Sequence, residues 1–368
     1  MAAFTKEDLK RFQAESLFDK VQRSLAKISE WFVYWNNEVY VAFSGGKDSS
    51  VLADLCAFWC KATGATLYLV FVNTGLEYPE IQKHVKNFAE YLRKKYNIEV
   101  VLDILRPQMR FDEVIKKYGY PVVSKEVAEC VAQGRKAIES GNKKHPYRLE
   151  KLLGTAKDKD GNLSLYNIAK YKPLLETDFL CSHMCCNVMK KKPVKDYIKR
   201  TGRKPITAQM ASESRLREQQ WLRNGCNGFN MSSPISNPMS FWTEQDVLQY
   251  IKQYDIPIAS VYGEIEYANN PEQIRIEDLG IECECCEELC TTGCQRTGCI
   301  FCGFGCHLES YPNRFERLKV THPRQYEYCI GGGEYDESGI WRPNAKGLGM
   351  GHVFDELNKI YGKDFIKY

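Results

Sequence analysis

The stretch Val39-Tyr40-Val41-Ala42-Phe43-Ser44-Gly45-Gly46-Lys47-Asp48-Ser49-Ser50 limits what this chain can fold into more than any other. An apolar run of the length of one buried strand ends in Ser-Gly-Gly. Asp48-Ser49-Ser50-Val51-Leu52-Ala53-Asp54-Leu55 then opens a helix with apolar positions on one face. Two glycines let the backbone bend sharply and bring its N–H groups close to a ligand. Those groups, the hydroxyls of Ser44, Ser49 and Ser50, and the start of the helix converge on a point that suits a phosphate, and Lys47 adds a full positive charge beside it. A strand–helix turn without a ligand is the plainer alternative. Strand, turn, Lys-Asp-Ser and helix occurring together in this order favour the phosphate. The spacing is not that of the Walker loop, which needs Gly, four residues, then Gly-Lys-Ser/Thr.

Further strands follow the same plan. Residues 65–73 read as a second apolar strand ending in Asn73-Thr74-Gly75, a helix runs to about Lys95, and residues 98–104 read as a third strand. Strand–helix–strand–helix–strand predicts an α/β fold: a parallel sheet with helices on both faces and ligands at the carboxyl ends of the strands. Residues 5–36 read as one helical packing segment. Residues 133–162 are polar, Lys-rich and weakly periodic, which predicts a surface insertion.

Composition narrows the class. At 368 residues the chain holds two or three units, charges of both signs are frequent, and the net charge of +4 is too mild to imply nucleic acid by itself. No apolar run nears the roughly 20 residues of a membrane span, and the N-terminus does not read as a signal peptide. A cytoplasmic location is therefore expected, with the 16 cysteines as thiols or metal ligands rather than disulfides.

The Ser-Gly-Gly-Lys-Asp-Ser loop resembles the PP-loop of the ATP pyrophosphatases, Ser-Gly-Gly-x-Asp-Ser, which cradles the β,γ-diphosphate of ATP. Asn73-Thr74-Gly75-Leu76-Glu77-Tyr78-Pro79-Glu80 is similar to a segment of one PP-loop branch, the phosphoadenylyl-sulfate (PAPS) reductase family. Ala211-Ser212-Glu213-Ser214-Arg215-Leu216-Arg217 is similar to its Glu-Ser-x-x-Arg segment. The run from Trp242-Thr243-Glu244-Gln245-Asp246 through Tyr250-Ile251 and Ile256-Pro257 to Tyr262 is similar to its Trp-Thr-x-x-Asp signature. The resemblance covers roughly residues 38–265. It implies an adenine nucleotide α-hydrolase-like fold and a nucleotide held by Ser44, Gly45, Gly46, Lys47, Asp48, Ser49 and Ser50. Asn73, Thr74, Gly75, Ser212, Glu213 and Arg217 are further contacts by that resemblance, and Lys47, Asp48 and Arg215 the catalytic set. The expected domains are an N-terminal helical segment (1–37), a nucleotide-binding domain (38–265), a Cys-rich cluster region (266–330) and a tail with a last helix (331–368).

Eight cysteines lie between 283 and 306, and Cys181, Cys185 and Cys186 form a second group. Cys299-Ile300-Phe301-Cys302 has a spacing that lets two thiolates grip one metal centre, while adjacent cysteines rarely serve a mononuclear zinc site alone. Adenylyl-sulfate reductases, of the same family, hold a [4Fe–4S] cluster on a Cys-Cys pair and a distant Cys-x-x-Cys. The resemblance implies such a cluster on Cys185, Cys186, Cys299 and Cys302, with Cys181, Cys294 or Cys306 as substitutes and structural Zn2+ as the alternative. Cys283, Cys285, Cys286 and Cys290 do not match that pattern. Cys56, Cys60, Cys130 and Cys329 read as buried thiols.

The function implied is that of a PP-loop enzyme that uses ATP with Mg2+, releases pyrophosphate by adenylating a substrate, and supports sulfur transfer. One alternative is reduction of PAPS or adenylyl sulfate to sulfite, for which the family's C-terminal Glu-Cys-Gly-Leu/Ile-His segment has no counterpart at Lys363–Tyr368. Another is a non-catalytic nucleotide-binding subunit of a larger complex. The eight Lys/Arg between Lys190 and Lys204 read as a solvated helix face, or as a contact for a polyanion such as tRNA or DNA. The implied partners are a cysteine desulfurase or a thioredoxin, and a second copy in a homodimer.

Overall fold

A computed structural model describes residues 4–141, 146–268 and 288–368. Cys283, Cys285 and Cys286 lie outside the described residues. The chain opens with α1 (Lys6–Gln13) and α2 (Leu17–Tyr34). The single helix expected here is two, because the Ser16 side chain accepts the Asp19 N–H and starts a new helix. Then come β1 (Val39–Ala42), α3 (Lys47–Thr63), β2 (Leu67–Val72), α4 (Pro79–Tyr96) and β3 (Val100–Leu105). Next are α5 (Phe111–Tyr118), β4 (Val122–Val123), α6 (Lys125–Glu139), α7 (Tyr147–Leu153), α8 (Met184–Cys186) and α9 (Lys192–Thr201). They are followed by β5 (Lys204–Ile206), α10 (Arg215–Asn224), β6 (Asn227–Gly228), β7 (Ile235–Ser236), α11 (Glu244–Gln253), β8 (Ile265–Tyr267), β9 (Leu289–Thr291) and β10 (Gly303–Phe304). Three helices, Arg314–Thr321, Pro323–Ile330 and Met350–Tyr361, lie in the C-terminal part. Among the described residues no helix is long and apolar enough to cross a membrane.

Two compact units share the chain. One comprises Met1–Asn73, Glu77–Leu105 and Lys195–Thr297, the other Thr74–Leu76, Arg106–Val194 and Gly298–Tyr368. This division cuts across the linear order of domains expected from sequence, since residues 106–194 join the C-terminal part rather than the nucleotide domain.

The first unit is built on a six-stranded sheet in the order β3-β2-β1-β5-β7-β6. All neighbours are parallel except β6 and β7. Val39, Val41, Leu67 and Leu69 are fully buried, as strands covered on both faces require. After β1 the chain moves outward to β2 and β3 and returns to β5 on the other side of β1, so the strand order reverses beside β1. In such sheets ligands bind at the carboxyl ends of strands next to that reversal. Ser44–Ser50 leaves β1 at that end. Buried polar groups lock the surrounding helices. Asp54 of α3 accepts hydrogen bonds from Lys95 and Tyr96 at 2.9 Å and from Tyr250 at 2.8 Å, which joins α3, α4 and α11.

In the second unit α6 and α7 pack together. Ala137, Leu149, Leu152 and Ala156 are buried and Gly134 approaches Leu149 and Leu152, so the inner faces of α6 and α7 join the core. Most of the remaining described residues of 133–162, among them 157–162, are exposed. A parallel pairing of β4 with β10 ties Val122–Val123 to the residues just after Cys302.

Candidate functional site

The phosphate loop sits in the first unit with α3 starting at Lys47 and Gly46 as its cap. Gly45 has φ +73, and a Cβ there would lie 2.7 Å from Val85 and 2.9 Å from Ile81, so only glycine lets the turn press against α4. Hydroxyls hold the turn together. The Ser44 N–H donates to Ser49 Oγ at 3.2 Å, Ser49 Oγ donates to the Gly46 carbonyl at 2.9 Å, and Ser50 Oγ lies 3.1 Å from His84 Nε2. His84 is buried, which pushes its pKa down to about 4 and leaves the ring neutral near pH 7.

Lys47 is buried, and its ammonium is held at 2.8 Å by Glu244 and at 2.7 Å by the Gln295 carbonyl. Its backbone N–H donates to the Tyr262 hydroxyl at 3.3 Å, and that hydroxyl is 2.6 Å from Thr297 Oγ1. Asp48 keeps a buried Oδ1 with no hydrogen-bond partner among the described residues. Burial raises its carboxyl pKa and Glu244 adds to the rise, while Lys47, Arg296 and Arg217 oppose it. The Arg217 pKa is lowered by burial and by the like charge of Arg296, which places both guanidinium groups in the surroundings of Asp48.

The residues expected from sequence divide accordingly. Ser44, Gly45, Gly46, Lys47, Asp48, Ser49, Ser50 and Arg217 belong to this one locality. Glu213 pairs with Arg217 and also accepts the Met210 N–H at 3.0 Å. Ser212 is exposed, with its hydroxyl 3.5 Å from the Trp242 carbonyl. Arg215 is exposed, and it is Arg217 rather than Arg215 whose charge reaches Asp48. Asn73 closes the first unit with its N–H on the Leu105 carbonyl, whereas Thr74 and Gly75 begin a short piece of the second. Glu244, Gln295, Arg296 and Thr297 were not expected at the loop. Glu244 and Tyr262 did carry a signal, since both lie inside the Trp-Thr-x-x-Asp…Tyr run.

That run has a physical basis. Thr243 caps α11 through a reciprocal box with Asp246, and Asp246 also binds the buried Lys20 ammonium at 2.7 and 2.8 Å. Trp242 donates its indole N–H to Ser24 Oγ at 2.9 Å. Together these fix the first turn of α11, and with it Glu244.

The second unit holds a small cavity lined by Cys185, Cys186, Cys299 and Cys302 among apolar walls that include Leu76, Phe111 and Met189. The four cysteines expected to act together therefore face one hollow. Cys185 and Cys186 Sγ are 4.0 Å apart, on a helical turn that continues into a π-turn at Asn187–Lys191. The Cys299–Cys302 turn is held by the Cys302 N–H on the Cys299 carbonyl and by Arg314 on the Cys302 carbonyl at 2.9 Å. A hydrogen bond from Cys185 and the charges of Lys125 and Lys190 pull the Cys186 thiol pKa down, against the effect of burial. That same bond, burial and the three neighbouring sulfurs push Cys185 up. Cys181 and Cys306 are buried but do not line this cavity, and Cys294 belongs to the first unit. Cys56, Cys60, Cys130 and Cys329 are buried thiols, as expected. Among the described residues no three His, Cys, Asp or Glu side chains come close enough to share a single metal ion.

Comparison with known sequences gives the class. Residues 38–148 and 166–303 match the phosphoadenosine phosphosulfate reductase domain. The chain belongs to the phosphoadenosine phosphosulfate reductase domain family. It is thus a member of a PP-loop, nucleotide-binding group of enzymes, and the residues matched run across both units. Two uncharacterized proteins of Methanocaldococcus jannaschii are similar to it. One is 35% identical over 108 residues, 29% of this chain and 20% of that protein. The other is 32% identical over 118 residues, 31% of this chain and 26% of that protein. The match thus spans only about a fifth to a quarter of the relatives' own length. Among solved structures, an NMN synthetase from Francisella tularensis is 14% identical with a TM-score of 0.31, over 73% of this chain and 83% of that one. An NH3-dependent NAD synthetase from Campylobacter jejuni is 12% identical with a TM-score of 0.31, over 66% and 75%.

Proposed function

We propose that the chain binds ATP, or a closely related adenine nucleotide, on Ser44–Ser50 and transfers its adenylyl group to a substrate oxygen. The observation that carries this reading is the loop at the strand reversal, where Lys47 and Arg217 bring cations to backbone N–H groups that, at Gly46 and Lys47, make only long 3.3 Å hydrogen bonds. A substrate oxygen attacks the α-phosphorus, the bond to the bridging oxygen breaks, and pyrophosphate leaves with its charge met by Lys47 and Arg217. The adenylated oxygen is then a good leaving group, and a sulfur nucleophile displaces AMP, which amounts to thiolation. The chain's part is positioning and charge stabilisation.

The buried, unpartnered Asp48 Oδ1 fits one ligand position of a Mg2+ ion that would also take phosphate oxygens. Cys185, Cys186, Cys299 and Cys302 are the residues that would hold a [4Fe–4S] cluster, one thiolate to each iron, and the same four thiols could instead take a structural zinc. When bound, the cluster supplies a site for sulfide or for electrons, and Lys125 and Lys190 offset the charge of the thiolates. A cysteine desulfurase would supply the sulfur, and an oxygen-bearing base of tRNA or the DNA backbone would accept it.

The family match also favours a second reading, reduction of PAPS or adenylyl sulfate to sulfite. One assay separates the two on full-length protein purified without oxygen. Pyrophosphate released from ATP with an acceptor supports the first reading. Sulfite formed from PAPS with thioredoxin, without pyrophosphate from ATP, overturns it in favour of the second.

A further inference from the structure

We infer that Arg296, carried on the segment Leu289–Thr297, is a phosphate-binding residue of the nucleotide loop and acts with Arg217 as a two-guanidinium clamp on the β and γ phosphates. This inference rests on the nucleotide reading above and adds a residue that neither the loop motif nor the similar segments contain.

The residues on either side of Arg296 both reach the loop. Gln295 offers its carbonyl to the Lys47 ammonium at 2.7 Å, and Thr297 meets at 2.6 Å the Tyr262 hydroxyl that receives the Lys47 N–H. The backbone of Arg296 is therefore fixed at the mouth of the loop. The segment is anchored as an arm. Gly293 and Cys294 donate to the carbonyls of Tyr262 and Val261 at 2.8 and 2.9 Å, and Thr291 Oγ1 closes the bend on the Cys294 carbonyl at 3.0 Å. A Cβ on Gly293 would lie 2.4 Å from the Val261 carbonyl, so the arm fits against its base with no room to spare.

Charge accounting points the same way. Of the three cations near Asp48, Lys47 is paired with Glu244 and Arg217 with Glu213. Arg296 is exposed and makes no ion pair among the described residues. Arg217 and Arg296 face Asp48 together, one carboxylate for two guanidinium groups, and the planar fork of arginine suits phosphate oxygens. A triphosphate entering the loop supplies a further anion, while AMP leaves the distal end of the clamp unused.

The test is calorimetric titration of the full chain with ATP and, separately, with AMP, for the wild type and for Arg296→Ala, Arg296→Lys and Lys47→Ala. Arg296→Ala is expected to weaken ATP binding about tenfold, the loss typical of one charge-assisted hydrogen bond, and to leave AMP binding unchanged. Arg296→Lys is expected to recover part of that loss. Equal weakening of ATP and AMP means a structural role and overturns the inference. So does wild-type ATP affinity in Arg296→Ala when Lys47→Ala has lost binding, an outcome that leaves the nucleotide reading standing. A wild type that binds neither ATP nor AMP overturns both.

Discussion

The Lys47 ammonium lies 2.8 Å from a carboxylate oxygen of Glu244, so the charge at the head of the phosphate loop is met by the protein itself. Phosphate must compete with that carboxylate. Glu244 is 46% exposed, so solvent screens the pair and its worth is that of a surface ion pair. Glu244→Gln should therefore tighten ATP binding in Mg2+-free buffer by roughly fivefold, the equivalent of about 1 kcal/mol. Titration with ATP checks this, and weaker binding would mean that Glu244 serves the nucleotide rather than competing with it.

Lys20 and Asp246 form a different kind of pair. Both are buried, and among the described residues the Lys20 ammonium has one further bond, to the Gln13 carbonyl at 2.7 Å. Removing the carboxylate leaves a buried charge unmatched and also strips the cap of α11. Asp246→Ala should lower stability by about 3–5 kcal/mol in urea unfolding. Replacing Lys20 and Asp246 together by apolar residues should recover most of the loss.

These two pairs mark where the sequence stops being readable. Ser44–Ser50 was legible because strand, turn and helix start are neighbours in the chain, and periodicity with two glycines is enough to show them. The parallel sheet was legible for the same reason. The four cysteines were legible through a resemblance and face one cavity. Glu244, Gln295 and Arg296 were not, because Gln295 meets Lys47 across 248 positions and no local pattern encodes that contact. The Trp-Thr-x-x-Asp run was recognisable as a family mark, and its capping of α11 is local, but its match to Lys20 depends on a residue 226 positions away. The polar stretch 133–162 is mostly exposed, as its composition suggested, but its few and widely spaced apolar residues hid that Leu149 and Leu152 are buried against α6. Two units that each take separate pieces of the chain leave no linear boundary to find.

His84 should make stability depend on pH. Burial lowers its folded-state pKa to about 4 from an unfolded value of 6.5, so the unfolded chain binds the extra proton first as pH falls. The stability tied to the neutral ring is fully present above pH 6.5 and is lost as pH falls to about 4, by roughly 3 kcal/mol in all. Unfolding midpoints measured across this range should show that loss, and His84→Gln should flatten it. An unchanged slope in the variant would assign the dependence to other groups.

Single serine substitutions test the cysteine cavity. Each of Cys185→Ser, Cys186→Ser, Cys299→Ser and Cys302→Ser should sharply reduce the iron and acid-labile sulfide of protein purified without oxygen. Cys181→Ser and Cys306→Ser should not, since neither lines the cavity. Zinc in place of iron in the wild type would reject the cluster.

Whether Ser44–Ser50 grips the phosphates of an adenine nucleotide is settled by a crystal structure of the full chain with a non-hydrolysable ATP analogue. The β and γ phosphates are expected within hydrogen-bond distance of the Gly45–Ser50 N–H groups and of Lys47, with the Lys47–Gln295 contact exchanged for phosphate. A nucleotide bound elsewhere, with Lys47 still on Glu244 and Gln295, would contradict that grip.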